Sequence, residues 1–310
     1  QQAHGFHDRR HGCALGKPLI RSRGDHFRFA VIGDLHTHWD EVDLAQFSRA
    51  DYDLLYFTGD LGGGTPDSTL RVARVMAGLR QPALVMPGNN DTGDIHQLAA
   101  ELAHQHGLNQ LMSIARNSEQ AVNPIVLCGY SRHRIRAGQL DVTLLAARPH
   151  SMGGPHLSFP DYMRATYGIE SLGDSGRRLM ALVDESDTEH LIFLAHNGPR
   201  GLGEEAHAMW GCDFKENGGD WGDPDLAEAI DHARASGRQV MAVIAGHMHI
   251  RTKQGIERPW KLEVDDTLYI NAARVPRIFS GSEDVFRHHV AVTISEGGVQ
   301  AHEVLLPQYG

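Results

Sequence analysis

Four short apolar runs in this sequence end alike: a link, a glycine, then Asp, Asn or His. They are Phe29-Ala30-Val31-Ile32-Gly33-Asp34, Leu55-Tyr56-Phe57-Thr58-Gly59-Asp60, Leu84-Val85-Met86-Pro87-Gly88-Asn89 and Val243-Ile244-Ala245-Gly246-His247. A fifth run, Ile192-Phe193-Leu194-Ala195, leads directly into His196. Such runs alternating with helical patterns are the signature of an α/β architecture. Ligands of open α/β sheets bind beyond the carboxyl ends of the strands, so residues placed there project toward one crevice. The glycines allow tight turns and close backbone approach at that rim. Two runs carry a second ligand type at spacing two, Asp34-Leu35-His36 and His247-Met248-His249. In extended chain, residues i and i+2 point the same way, so each pair can face one metal centre.

The resulting inventory is Asp34, His36, Asp60, Asn89, His196, His247 and His249. Mixed carboxylate and imidazole donors suit Zn, Mn or Fe rather than Ca or Mg alone. Seven side chains exceed one tetrahedral site but suit two metals sharing a carboxylate. Asp60, alone after its strand, is the natural bridge. A single Gly-Asp or His after a strand is usually a turn or cap residue; agreement at five strand ends is not explained that way.

Composition narrows the rest. The 310 residues allow one elaborate α/β domain or two small ones. A net charge of −10 disfavours sequence-independent binding to nucleic acid or to an anionic membrane. No run approaches the 18 apolar residues of a membrane-spanning helix. Cys13, Cys128 and Cys212 form no C-x-x-C pair, which argues for a reducing compartment such as the cytoplasm. Residues 1–25 carry five basic side chains without apolar periodicity and read as a mobile arm, or as the remnant of an organelle-targeting segment.

Residues 26–310 read as a single domain. Strands are expected at Phe27–Ile32, Asp53–Phe57, Ala83–Met86, Pro124–Cys128, Leu191–Ala195, Gln239–Ala245, Leu268–Asn271, His289–Ile294 and Val299–Leu306. Helices are expected over Pro66–Leu79, about Asp94–His104, and from an Asp223 N-cap and Pro224 to about Ala235. Segments at about 132–187 and 198–221 are polar and read as loop insertions.

The order D-x-H, G-D, G-N-x-D, H and G-H-x-H resembles the calcineurin-like metallophosphoesterase superfamily. Here it is Asp34-Leu35-His36, Gly59-Asp60, Gly88-Asn89-Asn90-Asp91, His196 and Gly246-His247-Met248-His249. The resemblance implies a four-layer αββα sandwich of two mixed sheets, with a dimetal site at the strand C-terminal ends. It assigns Asp34, His36 and His249 to one metal, Asp60 to the bridge, and Asn89, His196 and His247 to the second. The stretch from His196-Asn197-Gly198-Pro199 through Asp220-Trp221-Gly222-Asp223-Pro224-Asp225-Leu226 also looks like a subgroup of cyanobacteria and plant plastids, which makes a plastid the alternative compartment. Asn90 stands where the family often has a His that assists the leaving group, which puts leaving-group catalysis in doubt. Leu61-Gly62-Gly63-Gly64 lacks the Asp-Arg-Gly of serine/threonine protein phosphatases. No Tyr follows Asp60 closely, unlike a purple acid phosphatase.

The chemistry this implies is hydrolysis of a phosphomonoester or phosphodiester. Two divalent ions about 3.5–4 Å apart generate a hydroxide that attacks phosphorus in line. Asn90 and Asp91 belong to the motif and count as catalytic candidates. Arg200, four residues after His196, is a candidate cation for the equatorial oxygens, or else a solvated loop arginine. His38 and His96 lie near the motifs; His38 could replace the missing general acid if residues 34, 36 and 38 stay extended. Trp210 and Trp221, interleaved with Glu204, Glu205, His207 and Asp220, could cover a substrate or form a loop that buries two aromatics. The alternative to an enzyme is a non-catalytic scaffold of the same fold that binds a protein partner; such a scaffold should have lost ligands, and all seven positions are filled.

Overall fold

The computed structural model describes residues 20–22, 24–91, 98, 99, 102, 125–282 and 284–308. One sheet is built on parallel neighbours β2 (Phe27–Ile32), β3 (Leu54–Phe57), β4 (Ala83–Val85) and β5 (Ile125–Leu127). Strand β13 (Val285–Ser295) runs antiparallel to β2, and β12 (Ile278–Ser280) and β14 (Gly298–Pro307) run antiparallel to β13. The second sheet has the order β1 (Ile20–Arg21), β6 (Ser131–Ala137), β7 (Leu140–Ala146), β8 (His190–Asn197), β9 (Gln239–Gly246), β11 (Thr267–Asn271), β10 (Lys261–Val264). Its centre, β7 to β11, is parallel, while β6 and β10 join antiparallel.

Strand parity builds the layers. Phe27, Phe29 and Val31 face the opposite sheet and meet Leu144, Ile192 and Ile244 in a core between the two sheets. The alternate residues Ala30 and Ile32 meet Phe47, Val72 and Met76 of helices α1 (Glu41–Phe47) and α2 (Pro66–Met76). On the other side, Leu191, Phe193 and Val243 meet Leu179, Leu182, Leu226 and Ile230 of α4 (Leu172–Asp184) and α5 (Pro224–Ala235). The result is the four-layer αββα sandwich of two mixed sheets. Both faces of the central strands are covered, which is why their sequences are continuously apolar.

Several sequence expectations need correction. The region 132–187 is not a loop insertion: it contains β6, β7, α3 (Pro160–Tyr167) and α4. In β6 only His133, Ile135 and Ala137 are buried. Its alternate arginines pair with Glu185, Asp141 and Asp187, so the strand reads as polar. Ile20–Arg21, assigned to a mobile arm, form β1 beside β6. Residues 1–19 of that arm, His96, and most of the expected helix at 94–104 lie outside the described residues; Leu98, Ala99 and Leu102 of that helix are helical. Asp223 occupies the N-cap of α5 but makes no side-chain capping bond, because its carboxylate is taken by Arg148 at 2.9 Å. Strands β10 and β12, of four and three residues, and the seven-residue α1 are too short to register as periodic patterns. Among the described residues no helix is long and apolar enough to cross a membrane.

Candidate metal centre

Adjacent strands β2, β3 and β4 of one sheet and β8 and β9 of the other end at the same edge of the sandwich. Their terminal residues converge there in two groups. Asp34, His36 and His249 place one donor atom each within 4.8 Å of one another, and so do Asp60, His196 and His247. The groups touch: Asp60 Oδ2 lies 3.6 Å from His36 Nε2, and Asp60 Oδ1 lies 3.5 Å from His196 Nε2. Asn89 Oδ1 lies 2.9 Å from His196 Nε2 and so joins the second group.

The backbone at these strand ends is bent rather than extended. His36, Asp60 and His247 all have positive φ, at 40°, 50° and 67°. Such values are uncommon outside glycine and mark positions held by their surroundings. Two residues of each D-x-H or H-x-H pair therefore do not share a direction by strand parity. Asp34 and His36 nevertheless reach one group, whereas His247 and His249 are divided between the two. The glycines permit the crowding: a Cβ on Gly246 would overlap Asp34 Oδ1, and one on Gly59 would come 2.8 Å from His196 Nδ1.

Neighbours fix each donor. Asp34, fully buried, accepts from the His247 N–H at 3.0 Å and from Thr58 Oγ1 at 3.0 Å. Burial opposes its ionisation, but His196, His249 and His36 outweigh it and hold its pKa below the ordinary carboxylate value. Asp60 accepts from the Asn90 N–H at 2.8 Å and from Asn90 Nδ2 at 2.7 Å, one donor on each oxygen. His196 Nδ1 donates to the Thr58 carbonyl at 2.7 Å, which leaves its Nε2 facing the oxygen of Asn89. Burial works against a charged His196, yet Asp60 and Asp34 raise its pKa; burial pushes His247 down to about 4 and lowers His249.

These contacts test whether the donor set fits a metal. With Nδ1 committed to Thr58, a neutral His196 and the Asn89 oxygen are two acceptors 2.9 Å apart. His36 Nε2 and His249 Nε2 face each other at 3.1 Å, a second pair of nitrogens that a proton or a cation must reconcile. A cation in each group satisfies both conflicts, and the lowered pKa values of His247 and His249 keep their lone pairs available. The residues fit.

Other candidates fare differently. Asp91 lies below the cluster, accepting from Gly88 N and Leu61 N at 2.8 Å each and so tying the β3 and β4 loops together. Burial and the Asp60 charge push its pKa up to about 7. The extended-chain premise for His38 fails, because His36 and Thr37 have φ of 40° and 72° and form a turn. The His38 ring is held 3.2 Å from the Leu35 carbonyl by its Nδ1. Arg200 is exposed at the rim, its N–H donating to Asp223 O at 3.2 Å. Trp210 is no lid: it is buried, packs on Gly198 and donates to Gly246 O at 3.2 Å. Trp221 is half-buried over Gly153 and Gly154. Sequence reasoning missed Thr58, which serves both groups. It also missed Arg148, buried in pairs with Asp223 and Asp225 at 2.9 Å each; Asp223 accepts from Asn197 at 3.2 Å, directly behind His196. Thr58 is the link between β3 and Gly59, and nothing in spacing singles it out.

A family model described as calcineurin-like phosphoesterase matches residues 27–251. The chain belongs to that family. One solved crystal structure aligns over 90% of this chain and 99% of its own, with 11% identity and a TM-score of 0.55. GAP50, the anchor in the inner membrane complex of Plasmodium, aligns over 91% of this chain and 85% of its own, with 11% identity and a TM-score of 0.49. The sulfate thiohydrolase SoxB of Thermus thermophilus, solved with glycerol, aligns over 92% of this chain and 57% of its own, with 12% identity and a TM-score of 0.42. At such identities the first likeness speaks to fold alone. No curated protein sequence matches the chain significantly.

Proposed function

We propose that this chain is a metal-dependent phosphoric ester hydrolase, acting on a phosphomonoester or phosphodiester. The observation that carries the reading is the pair of donor groups, Asp34–His36–His249 and Asp60–His196–His247, meeting at Asp60. In this reading each group holds one Mn, Fe or Zn ion, with Asn89 completing the second set. When bound, two such ions supply Lewis-acid neutralisation of phosphoryl charge and make water acidic near neutral pH.

The chain's own residues then have separate tasks. Thr58 holds Asp34 and fixes the His196 tautomer, so that Nε2 presents a lone pair. Asn90 pins Asp60 with two donors and positions the shared carboxylate. An amide cannot deliver a proton at neutral pH, so Asn90 is not a general acid. Asp91 acts as a tie between loops, not as a proton donor to substrate. Arg200, exposed three residues beyond the end of β8, is the cation assigned in this reading to the equatorial phosphoryl oxygens. Metal analysis of the purified protein, followed by a panel of phosphomonoesters and phosphodiesters, tests the reading. Two tightly held metals and turnover of at least one ester class support it. Bound metal without turnover of any ester would instead favour a non-catalytic scaffold.

A further inference from the structure

Among the described residues, six large apolar side chains are strongly exposed, and four of them, Met152, Phe159, Phe214 and Ile256, lie on loops that leave the metal-centre edge. The other two, Val264 and Leu305, sit on β10 and β14. Met152 and Phe159 follow β7, Phe214 follows β8, and Ile256 follows β9. Contacts join Met152, Trp221, Phe214 and Lys253 into a continuous strip. Trp221 Nε1 donates to the Met152 carbonyl at 2.8 Å, and the Trp221 and Phe214 rings meet edge to face at 5.3 Å. Lys253, three residues before Ile256, stands 5.7 Å over the Phe214 ring, and Lys215 stands 5.5 Å over Trp221.

The strip is fastened to the ligand residues at both ends. Asn197, next to His196, donates to the Trp221 carbonyl at 3.0 Å. Asp213, next to Phe214, pairs with Arg258 at 3.1 Å, and Arg258 Nε donates to the carbonyl of His249 at 3.1 Å. Charge usage is also uneven. The chain has 25 arginines and four lysines, and two of those lysines stand on the strip's aromatic rings.

We infer that this strip binds the organic part of the substrate, and that the substrate is a phosphoester bearing an aromatic ring, which packs on Phe214 while Lys215 and Lys253 complement its anionic charge. The inference rests on the phosphoesterase reading and adds a substrate class to it. An exposed ring with a cation beside it suits a planar π-system next to negative charge. A lipid surface fits less well, because the loop 199–222 carries five carboxylates against two cations and the chain's net charge is −10. Nucleoside phosphates and aryl-alkyl phosphates share the required chemistry.

Two matched pairs separate these sources without changing the leaving oxygen: adenosine 5′-monophosphate against ribose 5-phosphate, and 2-phenylethyl phosphate against 2-cyclohexylethyl phosphate. With Mn2+-loaded protein, the ring-bearing member should have the higher kcat/KM, by about tenfold given the usual strength of base stacking on an aromatic side chain, and mainly through KM. In Phe214→Ala the ratio should fall toward one. Preference confined to the first pair assigns nucleosides, and preference in both assigns aromatic rings generally. Saturation-transfer NMR on the same ligands should show the strongest transfer at ring protons, lost in Phe214→Ala. Both members of each pair turned over equally by the wild type would overturn the inference and leave the phosphoesterase reading intact. If none of these four alkyl monoesters is turned over, nitrophenyl monoester and diester hydrolysis decides the phosphoesterase reading and the NMR result alone decides ring binding: no transfer to ring protons overturns it. A wild-type dimer that Phe214→Ala dissociates, with ring preference absent, would make the strip an interface between copies and equally overturn it.

Discussion

Asn90 is the residue where sequence and geometry diverge most usefully. As a departure from the family pattern it signals a lost proton donor; in space it contributes two donors, at 2.8 and 2.7 Å, to the Asp60 carboxylate that lies between His36 and His196. Two outcomes follow. Asn90→Ala should weaken metal binding by about 10–100-fold, the usual effect of removing a partner that orients a ligand. Calorimetric metal titration of variant and wild type measures it, and equal affinities would remove Asn90 from the positioning role. Nitrophenyl esters should be hydrolysed about 10²-fold or more faster than alkyl esters, because no group at Asn90 protonates the leaving oxygen. Equal rates would require a proton donor elsewhere. The donor residues themselves are legible in sequence because each follows an apolar run. Thr58 and Arg148 are not, because one is a small linking residue with no ligand spacing of its own and the other gains its meaning from Asp223 and Asp225, 75 and more residues away.

At the level of elements, the site depends on how α1 and β13 hold the loop that follows β2. Asp43 of α1 is fully buried between Arg277 at 2.9 Å and Arg287 at 2.7 Å, and Arg277 also donates to the carbonyl of His38 at 3.0 Å. Asp43→Ala leaves the buried Arg277 without a carboxylate partner, while Arg287 keeps Asp40 at 2.9 Å, and should destabilise the fold by about 3 kcal/mol, read from denaturant unfolding. A loss below about 1 kcal/mol, the scale of a surface pair, would contradict this account. Strand β6 makes a second prediction. Burial pushes His133 down to about 4 from 6.5. Between those values the unfolded chain binds the proton and the folded one does not, so this stability is present above pH 6.5 and lost as pH falls toward 4. The slope is at most about 1.4 kcal/mol per pH unit, and His133→Gln should flatten it. An unchanged slope in the variant would show that His133 titrates alike in both states. This strand and α1 escape sequence reading for one reason: their burial rests on ion pairs and a few apolar positions, which leave no strong period.

Across the whole molecule, the sandwich brings five strand ends from two sheets to one edge, and that convergence is what the repeated glycine-and-ligand endings encode. The class and layering are readable because the central strands are apolar on both faces and alternate with helices. The outer strands, the buried Arg148 pairs and the aromatic strip depend on contacts between distant segments, and spacing alone does not carry them. In the proposed reaction, two donor groups meeting at Asp60 hold two metals that together hydrolyse a phosphoester. Its most direct test is nitrophenyl phosphate ester hydrolysis, monoester and diester, measured as Mn2+ is added stepwise to metal-stripped protein. Activity should rise from near zero and level off at two ions per chain, with Asp60→Asn inactive throughout. No hydrolysis at any ratio, or full hydrolysis by the metal-stripped protein, would contradict it.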